Sequence, residues 1–160
     1  MTELKIEVMR KAHIAGIVKI EQQVFKTPWT EEMFAQELQD SRLSMAYVVL
    51  NDGELIGYMI AWLLRQEVHL INIAVEPSCQ RSGVGRMMLR YLFDLAAHNK
   101  RRFITLEVRE SNESAIKLYE TFGFKRIGVR PRYYEQDGED AVVMVRFVPP
   151  DEGTDPVERN

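Results

Sequence analysis

Between residues 69 and 89 the chain reads HLINIAVEPSCQRSGVGRMML: an apolar run of strand length, a proline, two glycines, then a second apolar run at helical spacing. A strand must end and a helix begin here within a few residues, which commits the fold to packed layers of sheet and helix. The first N–H groups of such a helix have no partner inside it, and its dipole presents a positive end. Glycine lets backbone approach phosphate oxygens closely, so QRSGVGR has the make-up of an anion site. The plainer reading is a tight strand-to-helix turn with no ligand. Two nucleotide fingerprints fail. A Walker loop needs Lys-Ser/Thr after its second glycine, where Arg86-Met87 stand, and the third glycine of a dinucleotide motif falls at Met88. Neither ATP nor NAD is supported, which leaves a diphosphate of another kind or the plain turn.

The rest of the chain switches between the two periods. LKIEVM (4–9) alternates as a strand, with Leu4, Ile6 and Val8 on one face. Helical spacing follows over residues 12–25, with Ile14, Ile17, Val18 and Glu21 on one stripe. It resumes over 31–38 after the break Thr27-Pro28-Trp29-Thr30, where Thr30 is placed to cap and Glu31 and Glu32 favour the first turn. MAYVVL and ELIGYMIAWLL flank Asn51-Asp52-Gly53, a turn signal for two antiparallel strands. After the 69–89 junction and its helix, RRFITLEVR (101–109) reads as a strand. Ser111-Asn112 caps a short helix with Ala115, Ile116, Tyr119 and Phe122 on one stripe and Gly123 at its end. FKRIGVRPRYY and DAVVMVRFV are strands joined around Gln136-Asp137-Gly138. The order βααβββαβαββ predicts an α/β (α+β) architecture, a mixed sheet with an antiparallel front half and two crossover helices behind it. The domain is expected over residues 1–148. From Pro149 the chain, PPDEGTDPVERN, has almost nothing to bury, and 149–160 is expected to be a disordered tail.

At 160 residues, 46% hydrophobic and 28% charged, the chain is expected to form one soluble domain with a core that needs neither disulfide nor metal. A net charge of −3 argues against a protein built to wrap nucleic acid and permits a basic substrate. The lone Cys79 can form no internal disulfide, and no zinc-like Cys/His spacing occurs, so no metal and a cytoplasmic home are expected. MTELKIEVMRK lacks a signal-peptide core, and no stretch approaches the roughly 20 apolar residues of a membrane helix, so no membrane partner is expected.

Gln80-Arg81-Ser82-Gly83-Val84-Gly85, between its strand and helix, resembles the acetyl-CoA pyrophosphate motif Q/R-x-x-G-x-G/A of the GNAT superfamily of N-acetyltransferases. FKTPWTEEMFAQEL, INIAVEP, LEVRESNESAIKLYETFGF and RYYEQDGEDAVVM are similar to the corresponding stretches of its RimI-type branch, the ribosomal-protein alanine N-acetyltransferases, and the resemblance spans residues 4–147. It implies the GNAT acyl-CoA N-acyltransferase fold, a mixed central sheet of about seven strands flanked by about four helices. It also implies acetyl-CoA as cosubstrate and a protein N-terminal α-amine as acceptor, foremost the alanine exposed on small-subunit ribosomal protein eighteen after methionine removal. By the same resemblance the amides of Arg81, Ser82, Gly83, Val84, Gly85 and Arg86 would hold the pyrophosphate, with the two arginine side chains adding charge. The backbone of Ile73, Ala74 and Val75 would pair with the pantetheine arm, and Asn112 would contact it. The plain alternatives are a buried strand and a helix cap.

Acetyl transfer to an amine also needs a base and a proton for the departing thiolate. Glu107 interrupts the apolar FITLEV; such a glutamate most often just faces solvent, but the resemblance makes it the general base. Relay through water is an easier task from an α-amine, with a reference pKa of about 7.7–8.0, than from lysine at about 10.4. Tyr119 in KLYETFGF is implied as the proton donor to sulfur, although a tyrosine on an apolar stripe is usually core. Trp29, with Thr27 and Pro28, and the hairpin residues Tyr133 and Tyr134 would line the acceptor groove, with packing as the alternative. Glu135, Asp137, Glu139 and Asp140 suit a basic peptide or a solvated hairpin tip. Cys79 as an acyl-accepting nucleophile has no base beside it in sequence, His69 lying ten residues back, so direct attack in a ternary complex is expected over a ping-pong route. The rivals are acetylation of lysine or of a small-molecule amine at the same CoA site, and a non-catalytic acetyl-CoA-binding module. The presence of both Glu107 and Tyr119 argues against the module. The expected partner is the N-terminus of a ribosomal protein, met by a monomer or weak oligomer without nucleic acid or membrane.

Overall fold

The computed structural model describes residues 3–40 and 42–149. In chain order the elements are β1 (Leu4–Val8), a 3-10 turn (Lys11–His13), α1 (Ile14–Val24), α2 (Glu31–Gln39), β2 (Ser44–Asn51), β3 (Glu54–Leu63) and β4 (Glu67–Val75). A second 3-10 turn (Pro77–Cys79) leads to α3 (Val84–His98), β5 (Phe103–Arg109), α4 (Glu113–Thr121), β6 (Lys125–Tyr134) and β7 (Glu139–Phe147). The strands lie in the order β1-β2-β3-β4-β5-β7-β6. Every element predicted from periodicity is present, with ends shifted by a residue or two. Residues 150–160 of the expected tail lie outside the described residues. The described residues divide into two compact units, one running to Leu63 and including Leu70–Met88, the other comprising Leu64–His69 and the described residues from Leu89 on.

In the first unit, β2 pairs antiparallel with both β1 and β3. The β2–β3 turn has φ of 49° at Asp52 and 84° at Gly53, the pair of left-handed residues whose twist matches that of the strands it joins. On α1, Ile14, Ile17, Ile20 and Glu21 share one buried stripe, and the three isoleucines pack with Phe34, Val48, Tyr58 and Ile60. At roughly 1.5–3 kcal/mol each, those isoleucines can draw Glu21 out of water as long as its carboxylate finds donors. Thr30 caps α2, its Oγ1 accepting from the Met33 N–H at 3.3 Å. Of the three β1 residues read onto one face, Leu4 and Ile6 are half-buried and Val8 is 66% exposed, because β1 is the outermost strand and Val8 its last residue, paired with Tyr47. Gly57 marks a close approach. A Cβ there would stand 3.1 Å from the Ala74 carbonyl oxygen and 3.5 Å from Val84, so β3 meets the start of α3 at a position without a side chain.

In the second unit, β7 runs antiparallel to β5 and to β6. On β5, Ile104, Leu106 and Val108 are buried, while Thr105, Glu107 and Arg109 share the other, half-buried face. β6 is an edge, exposed along its length except at Tyr134. Lys125, Arg126, Arg130 and Arg132, with Pro131, make it a poor template for another strand. Phe93 of α3 lies 5.7 Å from the Phe122 ring, with the Arg146 guanidinium 5.4 Å over its own ring. Gly123 ends α4 at φ 85°, letting the Phe124 N–H donate to the Tyr119 carbonyl at 3.1 Å.

A Cβ at Gly123 would stand 2.7 Å from Arg146 Nε, the group that donates to the Phe122 carbonyl at 2.8 Å. Gly123→Ala therefore combines a left-handed backbone penalty with a displaced hydrogen bond, and urea unfolding should show a loss of about 2–3 kcal/mol. A loss below about 0.5 kcal/mol would mean that the turn relaxes freely.

Candidate active site

β4 alternates along its length. Val68, Leu70, Asn72 and Ala74 are buried, and Glu67, His69, Ile71, Ile73 and Val75 form the half-buried face. In the second unit the first residues of β4 meet the polar face of β5. The Thr105 hydroxyl donates to the Glu67 carboxylate, and His69 Nε2 lies 2.6 Å from Glu107 Oε2. From β6, Arg130 Nη2 stands 3.6 Å from the other oxygen of Glu107, whose side chain is only 9% exposed. Burial alone would raise the Glu107 carboxyl; the His69 hydrogen bond and charge, then the Arg130 charge, outweigh it and hold the group below the usual carboxylate range. Glu107 is thus ionised at neutral pH. Because an ionised carboxylate only accepts, Nε2 is the protonated nitrogen of the ring.

The hairpin between β6 and β7 is held by its own charges. Arg109 Nη1 reaches Asp137 at 2.8 Å and Glu139 at 2.9 Å, and the second Glu139 oxygen accepts from the Ser111 N–H at 2.8 Å. The register of β6 shifts between Arg130 and Tyr134. Within that bulge Arg132 has φ of 50°, and its N–H donates to Asp140 at 2.8 Å. So three of the four acids expected to meet a basic peptide or sit solvated, Asp137, Glu139 and Asp140, bind the protein's own groups. Two tyrosines benefit. The Arg109 guanidinium lies 4.0 Å over the Tyr134 ring, and Tyr133 meets Tyr134 edge to face at 5.1 Å. Burial pushes the Tyr134 hydroxyl up to about 12 against the opposing pull of Arg109, and burial with the Glu107 charge raises Tyr133.

Tyr119 sits on the buried stripe of α4, 6% exposed, with its ring 5.6 Å from Phe124. Burial, then Tyr134, raises its hydroxyl above the ordinary range, so it stays protonated and can serve as a donor. Asn112 occupies the N-cap of the same helix and accepts from the Ala115 N–H at 3.3 Å.

The glycine junction belongs to the first unit. Pro77–Cys79 form a single 3-10 turn, the Gln80 amide donates to the Val75 carbonyl at 3.2 Å, and the Ser82 hydroxyl donates to the Cys79 carbonyl. Arg81 has φ of 64° and Gly83 of 92°. Nothing lies within 4 Å of where a Gly83 Cβ would stand. α3 starts at Val84, and Arg81, Ser82, Gly83 and Arg86 are exposed while Gly85 is half-buried. Open space, two arginines and the first amides of a helix fit a pyrophosphate. Ile73 and Val75 keep half-buried side chains and Ala74 a buried one, as an ordinary packed strand would. Trp29 N–H donates to Glu21 at 2.9 Å, and the indole packs 5.2 Å from Phe34.

Four expected site residues, Glu107, Tyr119, Tyr133 and Tyr134, therefore lie in the second unit, linked by shared charges and rings. Sequence reasoning missed His69, Arg109 and Arg130. In sequence His69 offers itself only as a distant base for Cys79; its partner in the structure is Glu107, 38 residues away. Cys79 has its neighbour Ser78 at 3.8 Å, and among the described residues no group of three His, Cys, Asp or Glu is placed to hold a metal.

Residues 14–124 match the Acetyltransferase (GNAT) family. The [ribosomal protein bS18]-alanine N-acetyltransferase of Escherichia coli (strain K12) is 38% identical over 127 residues, 78% of this chain and 84% of that enzyme. Its Salmonella typhimurium counterpart is 34% identical over 141 residues, 87% of this chain and 94% of that enzyme. The crystal structure of the ribosomal-protein-S18-alanine N-acetyltransferase from Escherichia coli superposes with a TM-score of 0.84 at 33% identity, covering 96% of this chain and 99% of the other. Ard1 from Thermoplasma volcanium shares the fold at a TM-score of 0.84 and 23% identity, over 91% and 98% of the two chains. With more than half its length matched and a relative of this identity covered almost end to end, the chain belongs to the GNAT family of acetyl-CoA-dependent N-acetyltransferases.

Proposed function

We propose that this enzyme acetylates a protein N-terminal α-amine, foremost the N-terminal alanine of ribosomal protein bS18, by direct attack within a ternary complex. The observation that carries the reading is the 2.6 Å contact between His69 and an ionised, half-buried Glu107. The substrate comes from relatives named for bS18 alanine at 34–38% identity.

Acetyl-CoA supplies an acyl thioester; the chain must bind it, free an amine and return a proton to sulfur. Arg81 to Arg86 and the backbone of Ile73 to Val75 take the binding role, with Asn112 at the cofactor arm. Glu107 is the base that takes the amine's proton through water, with His69 hydrogen-bonded to its carboxylate. The neutral amine attacks the carbonyl and the C–N bond forms; the C–S bond breaks, Tyr119 gives its hydroxyl proton to the departing thiolate, and the extra proton left on nitrogen passes through solvent to restore the Tyr119 hydroxyl. Burial keeps the Tyr119 hydroxyl protonated, so the proton is in place when the thiolate leaves. Trp29, Tyr133 and Tyr134 flank the acceptor.

Glu107→Gln and Tyr119→Phe should each lower kcat by about a hundredfold or more while leaving acetyl-CoA Kd within about twofold. Unchanged turnover in either variant would remove that residue from the chemistry. Mass spectrometry after reaction with an alanine-starting peptide and an internal-lysine peptide should find acetyl on the α-amine alone; exclusive ε-acetylation would sink the substrate assignment. Because the reactive amine must be neutral while Glu107 is ionised well below neutrality, kcat/KM for the peptide should climb with pH and level off near about 8. A profile already flat from pH 6 would point to a different proton acceptor.

A further inference from the structure

Glu21 is 1% exposed, in the middle of the isoleucine stripe of α1. Three neutral groups fill its carboxylate: the Tyr58 hydroxyl donates to Oε1 at 2.6 Å, Asn72 Nδ2 to Oε1 at 2.9 Å, and the Trp29 backbone N–H to Oε2 at 2.9 Å. The Tyr58 hydroxyl is pushed far above its ordinary range by burial and then by the Glu21 charge, which fits a proton held firmly between the two. Each donor sits on a different piece of the first unit: β3, β4 and the irregular segment between α1 and α2. The aromatic side closes the same circle. Trp29 packs on Phe34 at 5.2 Å, and Phe34 meets Tyr58 edge to face at 5.7 Å.

A core that needed only packing would be served by an apolar side chain here, without the cost of desolvating a charge. Only a carboxylate offers acceptor sites on both atoms. An amide of the same shape would turn an NH2 group toward at least one donor. What the charge secures is the backbone of Trp29, in the irregular segment between α1 and α2, and Asn72, the residue directly before Ile73. We propose that Glu21 is a positioning residue that locks the acceptor segment at Trp29 to the strand beginning the cofactor stretch, so that acceptor affinity depends on a buried carboxylate that touches no substrate. The proposal rests on Trp29 flanking the acceptor and Ile73–Val75 flanking acetyl-CoA.

The test uses the full chain with Glu21→Gln, and with Tyr58→Phe as a milder variant that leaves the carboxylate two donors. For each, kcat and the two KM values are measured with an alanine-starting peptide, and hydrogen–deuterium exchange is followed over residues 25–30. The expected result is a peptide KM raised about fivefold or more in Glu21→Gln and less in Tyr58→Phe, with kcat and acetyl-CoA KM within about twofold. Exchange at 25–30 should quicken by about tenfold while the β2–β3 hairpin keeps its protection. Parallel losses in kcat and both KM values, or unchanged exchange at 25–30, would overturn the proposal. If the wild type acetylates only lysine, the α-amine assignment fails, yet the KM split is read on that acceptor. The exchange measurement needs no acceptor at all.

Discussion

A carboxylate shut away from water persists only where donors close around it, and the first unit is arranged to meet that demand at Glu21. The α1 stripe drives the residue inward because three isoleucines share its face. β3 answers with Tyr58, β4 with Asn72, and the segment before α2 with the Trp29 amide. Removing any donor would leave a buried charge short of partners, and that penalty exceeds what a surface hydrogen bond contributes. The hydrogen-bond demand of one side chain thus sets where an irregular segment sits.

Glu107 meets the same demand differently. It stands on a half-buried face, and its partners include an imidazole and a guanidinium instead of neutral groups alone. Neutral donors make Glu21 a fixed anchor. The ring and the guanidinium beside Glu107 hold its carboxyl below the usual carboxylate range. Two glutamates that look alike in sequence, each interrupting an apolar run, are separated in surroundings by what folding places against them. Arg109 follows the same logic on the hairpin: two acids fix its guanidinium, which in turn supports the Tyr134 ring.

Much of the architecture was legible beforehand. The Asn51-Asp52-Gly53 turn, the Thr30 and Asn112 caps, the Gly123 stop and the glycine junction are short-range devices, and each appears at its expected residue. The exposure of Val8 was not legible, because period-two alternation assigns a face without saying whether another layer covers it. The acidic hairpin left two readings open for a related reason. Composition shows four like charges but not the Arg109 side chain or the Ser111 and Arg132 amides that engage three of them.

The amino-acid order alone determined the elements, their turns and caps, the glycine turn at the helix start and the family resemblance, because all of these depend on residues a few positions apart. Only the tertiary structure decided that His69 belongs with Glu107, 38 residues on, and that Asn72 belongs with Glu21, 51 residues back. Such pairs arise from strand register and helix docking, which are set by the burial of whole faces and leave no mark in either partner's local sequence.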